Sequence, residues 1–120
     1  MLSNFRNPLG TILLWIILAA VPAMAEDWKN IAEDQGVQLT YSANGNLARL
    51  RFTNTNSEPM TVNWTTSVQL ATGKRIDNKS ELNLEAGETV IIAGGPYRDA
   101  GSPAEVKNVT GSLQAKKTAP

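Results

Sequence analysis

A small all-β sandwich of about seven strands is the architecture implied by the 120-residue chain, and three features carry that reading. From Val37 onward the apolar residues recur with a period of two, the side-chain period of a strand buried on one face. Gly, Pro, Asn, Asp and Ser clusters interrupt this pattern about every ten residues, the spacing of turns in sandwiches and barrels. The chain is also short: once an export signal is set aside, 95 residues remain, which is one domain with a modest core.

Residues 1 to 25 have the three parts of a secretory signal in order: Arg6 in the leading region, the apolar run Thr11 to Val21, and Pro22-Ala23-Met24-Ala25 with small residues at the cut. Cleavage after Ala25 is expected, and the product is then periplasmic or secreted from a bacterium. The apolar run falls short of the roughly 20 residues that span a bilayer, so the mature form has no membrane span. An uncleaved helix starting at Leu9 is the alternative, giving a membrane-tethered envelope subunit. No cysteine is present, so lipid attachment and disulfides are both excluded, and stability must come from burial and backbone pairing. Three Asn-x-Ser/Thr sequons, at Asn63, Asn78 and Asn108, are what chance supplies in a chain rich in these residues.

In the segment 26–36, Trp28, Ile31 and Ala32 have helical spacing behind acidic residues at the front, and Gly36 marks a stop, so a short leading helix is expected. The sandwich follows over 37–114. Asn44-Gly45 suits a two-residue type I′ turn. That turn sets Tyr41 against Ala48, Leu39 against Leu50 and Val37 against Phe52 on one face. Thr40 with Arg49 and Gln38 with Arg51 then fall on the other. Asn54 to Pro59 is a turn by composition. Met60, Val62, Trp64, Val68 and Leu70 share one phase, broken only by Thr66, and place Trp64 at the core centre. Thr72-Gly73 turns the chain into a short charged edge segment, Lys74 to Asp77. Leu82 and Leu84 point inward, Ala86-Gly87 turns again, and Thr89 to Ile92 reads as a strand buried on both faces. Residues 93–104 form the longest irregular stretch. The last strand runs from about Glu105 to Leu113, where Val106 and Val109 are out of phase and imply a bulge or a late start. Residues 115–120 are expected to be a flexible tail.

Seven strands in this arrangement resemble, in architecture, an immunoglobulin-like or fibronectin type III-like β-sandwich. The stretch Leu82-Asn83-Leu84-Glu85-Ala86-Gly87-Glu88 is similar to the strand, Gly-Glu turn and strand of bacterial immunoglobulin-like modules. The cysteine pair of antibody-type domains is absent, which leaves strand order open.

Composition excludes much chemistry. Without Cys or His there is no thiolate nucleophile, imidazole base, or zinc or haem ligand set. With 11 basic and 11 acidic residues in the whole chain the charge is balanced, and no basic footprint for nucleic acid exists. No metal or cofactor is expected, because Asp77 with Asn78, or Asp99 alone, offers too few oxygens for calcium. Glu85 and Glu88 flank one turn, whereas a glycosidase needs two carboxylates facing across a cleft, so a small carboxylate-based hydrolase is the least favoured reading. The expectation is a non-catalytic interaction or structural module whose partner is an envelope protein or glycan. Two candidate binding sites stand out. Tyr97, Arg98 and Asp99 lie in the Gly/Pro-framed loop, where Tyr and Arg suit a hot spot, although the ring has the alternative of tucking against the sandwich end with Arg98 on Asp99. Arg49 and Arg51 lie beside Gln38 and Thr40 on the outer face, suited to an anionic partner or simply to solvent. Trp28 either anchors the leading helix or offers an aromatic to a glycan or membrane. Thr61, Asn63 and Thr65 form an outward polar ladder.

Overall fold

The computed structural model describes residues 27–119, so the expected export signal, residues 1 to 25, lies outside the described residues. Nine strands are present among the described residues: β1 (Lys29–Asp34), β2 (Val37–Asn44), β3 (Leu47–Asn54), β4 (Met60–Leu70), β5 (Arg75–Leu84), β6 (Thr89–Gly94), β7 (Arg98–Asp99), β8 (Ser102–Pro103) and β9 (Val106–Lys117). Seven of them build two antiparallel sheets, ordered β1-β2-β3-β6 and β5-β4-β9, and β7 with β8 forms a small separate hairpin. The two-sheet, seven-stranded sandwich is therefore present. Its strand order comes from a β1-β2-β3 meander, with β6 and β9 each crossing back to the sheet they complete.

The expected leading helix is corrected: Lys29–Asp34 is an edge strand paired to β2. Its helical spacing is the imprint of a bulge. Register slips between Asn30 and Ala32, leaving Ile31 as the extra residue, so that Ile31 and Ala32 both pack against the core, as neighbours on a helix face would. Gly36 ends no helix. It is the second residue of a two-residue turn in which Gln35 and Gly36 both have positive φ, 50° and 77°, the type I′ geometry that joins twisted strands.

The β2–β3 hairpin keeps the expected faces but not the expected partners. Its turn residues are Gly45 and Asn46, with Asn44 opposite Leu47, Tyr41 opposite Leu50 and Leu39 opposite Phe52. Gly45 has φ 61° and Asn46 is not in the positive region, which is the type II′ pattern with glycine first. Moving the turn by one residue moves each cross-strand partner by two, and a shift of two preserves faces. Thr40 consequently meets Arg51, and Ser42 meets Arg49.

The remaining elements differ mainly in extent. β5 is one continuous ten-residue strand rather than an edge segment followed by an inward pair. β6 is half-buried on alternate residues, with Ile91 47% exposed, rather than buried on both faces. It is an edge strand, so no second sheet covers its outer side. The bulge expected near Val106 lies where Gln69 pairs with Asn108 and Leu70 with Val106. The expected flexible tail is corrected over its first part: Ala115 to Lys117 extend β9 against Met60 to Val62, and Thr118 N–H donates to the Pro59 carbonyl (3.1 Å).

The core divides in two. Val37, Leu39 and Phe52 of one sheet pack on Met60, Val62, Trp64, Leu84 and Leu113 of the other, with the Phe52 and Trp64 rings 5.3 Å apart. A second cluster gathers Tyr41, Val68, Leu70, Ala104 and Val109. On the β1/β9 side the sandwich is closed, Asp34 accepting the Ala115 N–H at 2.9 Å. On the β5/β6 side no hydrogen bond joins the two edge strands among the described residues.

Candidate functional site

The division of the core follows from one row of residues. On the inner face of the β5-β4-β9 sheet, Trp64 lies between Ser80 and Leu113, and Val68 lies between Ile76 and Val109. Between these rows stands Thr66, flanked by Asn78 and Gly111. A hydroxyl, an amide and no side chain at all thus occupy a level where a sandwich core needs hydrocarbon, and they cannot fill it as Val or Leu would. A groove of about 380 Å³ results, opening between β5 and β6. Its wall on the β6 sheet is apolar, made by Ala48, Leu50 and Ile92, while the facing wall is mixed, with Thr66, Asn78 and Ser80 set among Trp64, Val68 and Ile76; Tyr97 closes one end.

Two residues lining this groove each carry a buried polar atom without a partner. Trp64 and Thr66 both line it, they are 8% and 3% exposed, and neither the indole Nε1 nor the Thr66 Oγ1 finds a hydrogen-bond partner. A buried polar group left without a partner costs about 1 to 3 kcal/mol.

The two strands framing the groove differ in how their free edges are protected. β5 carries Arg75, Asp77, Lys79 and Glu81 at alternate positions, charges of the kind that discourage a further strand. β6, Thr-Val-Ile-Ile-Ala-Gly, carries none and has no proline.

Of the sequence-derived candidates only Tyr97 belongs to this groove. Its N–H donates to the Asn46 carbonyl (2.8 Å), and its carbonyl accepts from Ala104 N–H (3.1 Å) and Asn46 Nδ2 (3.3 Å). The ring packs against the second core cluster, and burial raises the phenol pKa above its ordinary value. A side chain at Gly94 would meet the Tyr97 hydroxyl and displace the end of the ring. Arg98 is exposed and donates to the Gly101 carbonyl rather than to Asp99, which is half-buried in the β7–β8 hairpin. Arg49 and Arg51 lie on the outer face of the β1-β2-β3-β6 sheet, away from the groove. There Trp28 lies over both guanidinium groups, 4.4 Å from Arg51 Cζ and 5.7 Å from Arg49 Cζ, and Arg51 Nε donates to Thr40 Oγ1 at 3.2 Å. Trp28 is thus a cation–π cover for that face. The Thr61 and Thr65 hydroxyls of the polar ladder bond across to Asn83 and Ser112.

Several carboxylates are engaged locally. Glu88 Oε1 accepts the Glu85 N–H (2.8 Å) within its own turn, and Glu58 pairs with Lys117 at 3.3 Å. Asp77 is held below the usual carboxylate range by the Ser67 hydroxyl first and Arg75 second. The groove lining contains no carboxylate. Among the described residues, no cluster of three or more His, Cys, Asp or Glu is placed to hold a metal, and no helix is long and apolar enough to cross a membrane.

Apart from Tyr97, the groove was not legible as a site in the sequence, which carries one further signal for it. Thr66 is the lone polar residue in the inward phase of β4, and that break in pattern marks the site.

No protein-family model and no curated protein matches the chain. Among solved structures it is similar to the crystal structure of a DUF1425 family member from Shewanella sp. pv-4, at 11% identity and a TM-score of 0.42, covering 73% of this chain and 88% of that one. No property of that protein is carried across at this level of similarity.

Proposed function

We propose that the protein is an exported, non-catalytic β-sandwich of the cell envelope that works by binding, and that its binding surface is the open side between β5 and β6. One observation carries this: a groove with one apolar and one mixed wall, lined by two residues whose buried polar atoms have no partner. A fold shaped only for stability would place hydrocarbon there, since an unsatisfied group costs more than an apolar replacement. Export is supported by the signal pattern of residues 1 to 25. A non-catalytic role is supported by the absence of His and Cys and by carboxylates engaged in turns and ion pairs.

The test is capture from the organism's own envelope extract, comparing the mature protein with Ser80→Trp. Ser80 is an exposed groove-lining position, so the indole fills the groove while the core stays intact, and circular dichroism confirms the fold. The variant is expected to lose the partners that the wild type holds. Identical capture profiles would contradict the reading. Intact mass of the native product, expected at 95 residues, distinguishes the released form from one tethered by an uncleaved signal.

A further inference from the structure

Resting on that reading of the open side, we infer that the occupant of the groove is an extended segment of a partner polypeptide, added as a fifth strand along the free edge of β6. β6 is hydrogen-bonded to β3 on one side only, so its other side presents unpaired N–H and C=O groups over six residues. Unused edges are normally blunted by charge or proline, as the charged positions of β5 are. β6 has neither device. Its Ile91, one of two exposed large hydrophobic residues among the described residues, is placed where a neighbouring strand's outward side chain would pack beside it.

The position of the added strand fits the groove. Lying about 4.8 Å from β6, it covers the mouth, and every second side chain points inward. One of these meets the apolar wall at Leu50 and Ile92, and the next reaches the level of Thr66 and Asn78. An aliphatic residue followed two places later by Ser, Thr, Asn or Gln is the pattern this selects. The polar member supplies the acceptor that Trp64 Nε1 and Thr66 Oγ1 lack within the molecule. A second copy of this chain pairing through its own β6 is less suitable, because its inward Val90 and Ile92 are already packed against its own core and cannot enter this groove.

The experiment uses the full mature chain labelled with ¹⁵N and a positional-scanning library of heptapeptides in which aliphatic and hydroxyl or amide residues alternate, with chitotriose as the glycan probe. Peptide binding is expected to slow hydrogen exchange at residues 89–94 and to shift the Trp64 indole N–H resonance. Thr66→Val is expected to weaken binding about fivefold, the loss of one hydrogen bond, and Ile91→Lys to remove the protection of 89–94. Both substitutions sit on retained strands, and exchange in β2 and β4 reports that each variant is folded. Protection of 75–84 instead of 89–94, or no response at Trp64 to any peptide, overturns the inference. A Trp64 response to chitotriose alone overturns it while leaving the groove as the binding surface. Protection of 89–94 without peptide, together with a dimer mass in light scattering, overturns it in favour of self-pairing.

Discussion

Asn54 and Thr66 are both polar side chains shut away from water, and they fare in opposite ways. Asn54 is fully buried, and its amide donates to the carbonyls of Glu58 (2.9 Å), Glu85 (3.0 Å) and Leu84 (3.5 Å) while its carbonyl accepts two bonds from Asn56. It ties the β3–β4 loop to the β5–β6 turn, so Asn54→Ala strands several carbonyls at once and is expected to cost about 2 to 4 kcal/mol in urea unfolding. Thr66 has no such company. Thr66→Val replaces an unpartnered hydroxyl with a methyl and is expected to stabilise the protein by about 1 kcal/mol, or roughly 4 to 8 °C in Tm for a domain of this size. A destabilised Thr66→Val would mean that the hydroxyl is satisfied in solution. The opposed signs separate a polar group that holds the fold from one kept in spite of the fold.

At the level of elements, face assignment was far more legible than pairing. Alternation alone sorted β2, β3 and β4 correctly, because a two-residue period leaves only two choices and burial selects one. Which residues turned was not legible in the β2–β3 hairpin. Asn44-Gly45 satisfies a type I′ turn and Gly45-Asn46 a type II′ turn, and both give the same faces. Contacts distant in sequence decide between them: the Gly45 carbonyl accepts Val106 N–H (2.9 Å) and the Asn46 carbonyl accepts Tyr97 N–H (2.8 Å). Gly45→Ala forces a Cβ into positive φ and is expected to cost about 1 to 2 kcal/mol in thermal unfolding; an unchanged Tm would argue against the positive φ at Gly45. β1 was misread for a related reason, since a bulge places adjacent residues on one side and imitates a helix in sequence. The extent of β9 was hidden as well, because Lys116 and Lys117 look like tail while their backbone pairs with β4.

Taken as a whole molecule, the sandwich is closed along β1 and β9 and open along β5 and β6. Composition pointed toward a binding surface, and single-sequence reasoning placed its candidates on the loop holding Arg98 and on the arginine face, all outside the groove except Tyr97. The site assembles from four segments far apart in sequence, namely Leu50, the Trp64/Thr66 pair, Asn78 with Ser80, and Ile92 with Tyr97. Only sheet topology brings them together, and strand order is what a single sequence leaves open. The one local trace, Thr66 in an otherwise apolar phase, acquires meaning once Asn78 and Gly111 are seen to flank it. The most direct measurement is photocrosslinking in the native envelope with a benzoylphenylalanine probe placed at Ser80 in one strain and at Gln38, on the outer face of the closed side, in another. A discrete partner adduct from position 80 and none from position 38 is the predicted result. Adducts from position 38 with none from position 80 would place the working surface elsewhere and contradict the account.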